Sequence, residues 1–463
     1  MRLLLSATLI SLVSVSSAYA QREKMYPENM GKQHQLQFDP LPRWVTFDME
    51  LRGRTEGQTS LGHVSGLDRA YELTRVRGGV TVRPVSWLTG YLQFQDAHAL
   101  GLPRREVASN MRNTFDLRQG YLDFHSRSVQ LVAGRQELRF GDERVVGIAD
   151  WTNTSRTWDG FKLRIGTNNN NVDLFSTSVV LVHPESYDTH GAGLTFHGAV
   201  GTMKSLLPKT TLQPFVLVRA EPRVKSRQNI YGTETEVTTG IYWDSKLPHA
   251  FDTSGTVDLQ RGSYSNDSIH AGAAILRAGW SDARLPGKPH LQGEYDYATG
   301  YSGTNPLRIG TYDQQYPSNH NAFGEVDLFG FQNIKQDRLN LTLSPRKNIL
   351  VLFQVGSLHL ASIHDGVYTG SGSKWFGPPS SGFTHDGIGT EFDASAKHVW
   401  SDSFVTNVGV GHLFPGYVMT SSNHGAVTVA YVQLTYRFKV DKGPENHFEI
   451  VTKHPPASTK TEH

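Results

Sequence analysis

From Trp44 to Arg54 the chain alternates apolar and polar residues without a break. Val45, Phe47, Met49 and Leu51 fall on one face, and Thr46, Asp48, Glu50, Arg52 and Arg54 on the other. A period of two belongs to a β-strand whose two faces meet different surroundings. Here the polar face carries Asp48, Glu50, Arg52 and Arg54 on a single strand, while the other face is apolar enough for lipid. The pattern recurs with Val76, Val80 and Val82 against Arg75, Arg77, Thr81 and Arg83, and again from Thr390 to Lys397. Such segments, bounded by turn residues, predict strands at 44–56, 70–83, 87–98, 114–124, 129–141, 158–166, 171–181, 191–198 and 209–220. They continue at 235–243, 251–262, 267–280, 289–300, 334–344, 349–359, 386–397, 402–412 and 425–438, which makes an even total of eighteen.

The connections alternate in length. Those after even-numbered strands are mostly short, such as Pro84 to Ser86, His125 to Ser128, Pro345 to Asn348 and His398 to Ser401, whereas those after odd-numbered strands are longer, up to Tyr301–Asn333. Short turns on one side and long loops on the other characterise outer-membrane barrels, with the turns in the periplasm. Trp44, Trp87, Trp243, Trp280 and Trp400 all fall at or beside the strand ends assigned to the short side, where an interfacial aromatic girdle belongs. The expected fold class is therefore all-β, a transmembrane antiparallel β-barrel of about eighteen strands.

Composition is consistent with this but does not decide it. With 38% hydrophobic residues and a mean hydropathy of -0.40 the chain averages like a soluble protein, but alternating lipid-facing and lumen-facing residues cancel in any window. The start decides more: Arg2, an apolar and small stretch from Leu3 to Ala18, and the small-residue site Ala18, Tyr19, Ala20 read as a secretory signal, with Gln21 the first mature residue. The absence of cysteine from all 463 residues excludes disulfides and thiol chemistry, and suits passage through an oxidising periplasm. A net charge of +2, or +1 without Arg2, provides no global field for nucleic acid. The expected organisation is a signal peptide at 1–20, a periplasmic segment at 21–43, a barrel at 44–438 and a polar, disordered periplasmic tail at 439–463.

Several stretches resemble the alginate-export family of outer-membrane proteins. They include "YELTRVRGGVTVRPVSWLTGYLQFQDAHALG" from Tyr71, "FDLRQGYLDF" from Phe115, "LVAGRQELRFGDERVVGIADWTNTSRTWDGFKLR" from Leu131, "LQGEYDYATG" from Leu291, "YPSNHNAFGEVDLFGFQNI" from Tyr316 and "GVGHLFPGYV" from Gly409. The resemblance runs in order through nearly all of 44–438. It implies an eighteen-stranded barrel in the outer membrane of a Gram-negative bacterium and a conduit for an anionic polyuronate or other cargo.

If apolar residues face lipid, their alternates face the lumen. The first six strands then offer Arg52, Arg54, Arg75, Arg77, Arg83, Arg135, Arg139, Lys162 and Arg164 against Asp48, Glu50, Asp123 and Glu137, an excess of cations on one wall. The later strands are balanced, with Glu294 and Asp296 among their acids. Arginine in a confined passage attracts carboxylates and can hold them with two parallel hydrogen bonds. The expected function is a channel for anionic solutes, polysaccharide or small saccharide and organic anions, with Arg52, Arg54, Arg75, Arg77, Arg135, Arg139, Arg164, Asp48, Glu50, Glu137, Glu294 and Asp296 lining the pore. The alternatives are an outer-membrane enzyme or a surface adhesion barrel working through its outer loops. No metal-ligand spacing occurs among the 20 histidines and no nucleophile-elbow motif is present, so no catalytic residue, metal or cofactor is expected. Expected partners are membrane lipid, lipopolysaccharide, the solute, and a periplasmic protein for the tail; nucleic acid is not one.

Overall fold

The computed structural model describes residues 34–37, 41–60 and 68–441. The signal peptide, most of the 21–43 segment and residues 442–463 of the tail lie outside the described residues. Eighteen strands form the wall. They are β1 (Val45–Thr59), β2 (Arg69–Val85), β3 (Leu88–Leu100), β4 (Asn113–His125), β5 (Val129–Gln136), β6 (Trp158–Gly166), β7 (Asn170–Leu181), β8 (Thr189–Met203) and β9 (Thr210–Lys225). The second half comprises β10 (Tyr231–Lys246), β11 (Phe251–Tyr264), β12 (Asp267–Ser281), β13 (His290–Ala298), β14 (Ile334–Arg346), β15 (Ile349–Leu360), β16 (Gly387–Val399), β17 (Phe404–Pro415) and β18 (Val427–Asp441). Each pairs antiparallel with its sequence neighbours, and β1 pairs with β18 from Phe47 opposite Val440 to Thr59 opposite Thr428. The sheet therefore has no free edge, the condition a sheet must meet in hydrocarbon.

The alternation has the expected physical cause. On β18, Val432 and Leu434 are exposed on the outer surface while Gln433 and Thr435 are buried inside. Trp44, Trp87 and Trp400 are each at least half exposed around the short-turn rim. Loop parity holds for most connections; Ser265–Asn266 and 226–230 on the long-loop side are shorter than 282–289 on the short-turn side. β18 runs through Asp441, past the Phe438 end expected from its terminal aromatic, because Lys439 and Val440 still pair with Asp48 and Phe47. A four-residue strand, His34–Gln37, adds in parallel beside that end.

One expectation fails in a way that shapes the lumen. The fifth strand ends at Gln136, not 141, and residues 137–157 turn inward. The lumenal faces of β7, β8 and β9 carry Phe175, Phe196, Val200, Phe215 and Leu217, which pack with Leu138, Val145, Val146 and Ile148 of that loop in one apolar cluster. On the opposite side Ala271, Ala273 and Ile275 of β12 pack with Tyr312, Phe323, Phe329 and Phe331 of the 299–333 loop and with Phe383 of the 361–386 loop. These strands are apolar on both faces, since one meets lipid and the other meets folded-in loops. Backbone bridges join Val146 to Tyr316 and Phe329 to Thr369, so the three loops form one plug.

Candidate functional site

The plug meets the barrel wall at Asp150, at the tip of the 137–157 loop. Its carboxylate accepts from Arg77 Nη1 at 2.7 Å and Arg75 Nη2 at 3.1 Å. Arg75 Nε also donates to Glu50 at 2.8 Å. Arg52 Nη1 donates to the Asp150 carbonyl at 2.6 Å, and its Nη2 reaches the Thr152 carbonyl and Asn153 Oδ1 at 2.9 and 3.1 Å. Burial alone would raise the Asp150 carboxyl, but Arg75, Arg77 and Arg52 hold it well below the usual carboxylate range. Arg54 donates to Glu56 at 2.6 Å and to the Trp151 carbonyl, and its guanidinium lies 3.7 Å from the centre of the Trp151 ring. The other face of Trp151 stacks on His320 at 3.5 Å, whose nitrogens lie 3.2 Å from Glu325 and 3.7 Å from Asp327. Burial opposes a charge on His320, yet the two carboxylates outweigh it and push the imidazole up to about 9.

The wall arginines thus face inward, but they are covered. Arg52, Arg54, Arg75 and Arg77 are each no more than 5% exposed and are bonded to the loop. The surplus of cations in the strand-by-strand count is met by acids it left out: Asp150 here, Asp159 holding Arg135 at 2.8 Å, and Asp173 holding Arg164 at 2.8 Å. Glu137 and Arg139 lie on the loop and not on a strand; Glu137 bridges Arg118 and Arg139, and Arg139 also reaches Glu143 at 3.0 Å. Across the lumen, Glu294 and Asp296 are buried against Arg144 of the same loop, with Arg277 and Arg338 also on Glu294. Asp48 accepts from the Tyr91 hydroxyl at 3.1 Å.

Among the described residues, cavities open at both ends of the β2–β7 side. The outer one, about 580 Å³, is lined by Asn110, Asp150, Arg156, His320 and Thr369 among others. The inner one, about 480 Å³, is lined by Arg83, Tyr91, Tyr121, Asp123, Arg127 and Arg164. A chain of hydrogen bonds runs from one to the other. Gln93 Nε2 donates to Tyr91 Oη at the inner cavity (2.9 Å), Arg118 Nη1 donates to Gln93 Oε1 (2.7 Å), and Arg118 Nη2 donates to Ser155 Oγ at the outer cavity (2.7 Å). One arginine, Arg118, therefore spans the partition. It was missed in the sequence because β4 slips its register against β3 near Gln93, which buries Arg118 and Gln119 together where strict alternation allows only one inside.

Arg156 was missed too, being two residues ahead of β6. Its Nη1 donates to the carbonyls of Gly147 (2.8 Å) and Pro317 (3.3 Å). No carboxylate lies within ion-pair distance among the described residues. Burial draws its guanidinium down to about 10, with Tyr316 and Glu143 opposing, so it is still a cation at neutral pH.

Residues 43–432 match the family described as Alginate export. Among solved structures the chain is similar to Pseudomonas aeruginosa OccK11 (OpdR), with a TM-score of 0.55 at 11% identity over 87% of this chain and 100% of that one. It is similar to Acinetobacter baumannii OccAB1, with a TM-score of 0.60 at 9% identity over 85% and 96%, and to OccAB2 of the same organism, 0.59 at 8% over 86% and 100%. At these identities the likeness shows the fold. No curated protein matches the chain.

Proposed function

The chain belongs to the alginate-export family and is an outer-membrane barrel, and from that premise we propose that it is a channel selecting small anionic solutes, such as saccharide acids or organic anions. The route follows the β2–β7 side of the lumen, from the outer cavity past Arg118 to the inner cavity. The observation that carries this reading is the pair of cavities, each holding cations with no carboxylate of the described residues in ion-pair range: Arg156 outside, Arg83 and Arg127 inside. A desolvated arginine with two neutral acceptors has donors left over, and a carboxylate is the ligand whose geometry matches them. A volume of about 580 Å³ lies within the roughly 300–1,000 Å³ typical of small-ligand pockets. That favours one small solute at a time over a threaded polymer.

The ion-paired arginines of β1 and β2 have a different part in this reading, which is to hold the 137–157 loop against the wall. Planar-bilayer recordings test the proposal through the zero-current potential in a salt gradient. The wild type is expected to prefer anions, and Arg156→Glu to shift the potential toward cations. A cation-selective wild type, or an Arg156→Glu channel with the same potential, would overturn it.

A further inference from the structure

The connections at the two ends of the barrel differ in charge. Those of the short-turn side carry six basic and two acidic residues, whereas the long-loop connections that do not fold into the lumen carry four of each. Four of the six basic residues fall on two of three successive turns: 204–209 between β8 and β9 (Lys204, Lys209) and 282–289 between β12 and β13 (Arg284, Lys288), while 247–250 between β10 and β11 carries only His249. Their strands are consecutive in the sheet, and the Lys246 amide donates to the Lys209 carbonyl at 3.1 Å, so the turns form one arc. Lys204, Lys209 and Lys288 are exposed on it, with no ion pair among the described residues, while Arg284 is held by Asp282 at 2.9 Å. Leucines project from the same arc: Leu206 is 63% exposed, Leu207 50%, Leu285 47% and Leu247 45%.

Lysines beside exposed leucines on adjacent turns suit a surface that is apolar below and anionic above. A membrane interface has that layering: leucine enters the acyl boundary and the ammonium meets phosphate. Water gives the leucines no compensation, and a soluble acidic partner would match only the lysines. We propose that this arc is a binding site for anionic phospholipid of the periplasm-facing leaflet, with Lys204, Lys209 and Lys288 on the headgroup phosphates and Leu206, Leu207 and Leu285 against the acyl chains. The site lies outside the lumen, so it stands apart from the channel reading.

The test is native mass spectrometry of the detergent-solubilised full chain with dioleoylphosphatidylglycerol or dioleoylphosphatidylcholine added at equal concentration. Wild type is expected to retain phosphatidylglycerol in preference. Since each lysine near an anionic surface contributes roughly fivefold, the triple change Lys204→Gln, Lys209→Gln, Lys288→Gln should reduce that preference about tenfold or more. Arg104→Gln with Arg105→Gln, on an outer loop, should leave it intact. Heat-modifiable migration establishes that each variant is folded. Should the triple variant fail to assemble, Lys204→Gln with Lys209→Gln serves in its place, with a smaller loss expected. Equal retention of both lipids by wild type, or an unchanged preference in the folded variant, overturns the proposal. So does a variant that loses binding of a short oligouronate while keeping phosphatidylglycerol, because the arc would then collect soluble polyanion.

Discussion

Asp150 neutralises cations that the barrel wall cannot neutralise alone, since Glu50 already faces both Arg75 and Arg437. Removing one member of a buried ion cluster leaves its partners charged and desolvated, at a cost of about 3–5 kcal/mol. Asp150→Asn is accordingly expected to undock the 137–157 loop while the strands stay paired. Single-channel recordings should show larger and noisier conductance, and limited proteolysis from the outer side should cut the loop. Arg118→Ala, by removing the side chain that links Ser155 at the outer cavity to Gln93 and through it to Tyr91 at the inner one, should raise conductance without the added noise; unchanged conductance would place the route elsewhere.

The same contacts set a pH window for the closed arrangement. The Asp150 carboxyl is depressed, so its contribution is present above its ordinary value of 3.8 and is lost as pH falls below that. His320 is raised from 6.5 to about 9, so its contribution is complete below 6.5 and disappears as pH climbs through about 9. That displacement corresponds to on the order of 3 kcal/mol, enough to loosen the hold of Trp151 between Arg54 and His320. Open-channel probability is expected to rise between pH 7 and 10, and His320→Gln should remove the rise. A rise that persists in His320→Gln would assign the titration to another group.

At the scale of elements, β5 to β9 are built to receive the loop. Gly134 and Gly160 face each other across β5 and β6 with φ of 124° and 151°. A Cβ on either would stand 2.3 Å from a neighbouring carbonyl oxygen. This conformation re-aims the chain just before it leaves the sheet at Gln136, and a residue with a side chain there is strained. Phe196, fully buried on β8, packs on Phe175 and Tyr316. Phe196→Ala should cost about 3–5 kcal/mol in the docking of the plug. Hydrogen exchange should locate the loss in residues 137–157 and 311–333, with the lipid-facing strands unchanged. Uniform loss across the barrel would mean that the apolar cluster supports the wall and not the loops.

For the whole molecule, architecture and chemistry were legible to different degrees. Strands, turn parity and the tryptophan rim were readable because lipid imposes a local rule: every spanning strand must show an apolar face outward, and each shows it in its own sequence whatever its neighbours do. Where the rule blurred, at β7 and β8, the inward face was apolar too, since Phe175 and Phe196 meet the 137–157 loop and not water. The state of the lumenal charges was not readable in that way. Arg52 and Asp150 are close only because a loop nearly a hundred residues away turns inward, and Arg118 points inside only because β4 slips its register. By itself, then, the sequence determined that this chain is a closed barrel with short turns gathered on one rim, since period and turn length are properties of neighbouring residues. Which arginines are neutralised and which still face open space was decided by tertiary structure alone, because a charge's partner is whatever side chain or carbonyl the fold brings within about 3 Å of it.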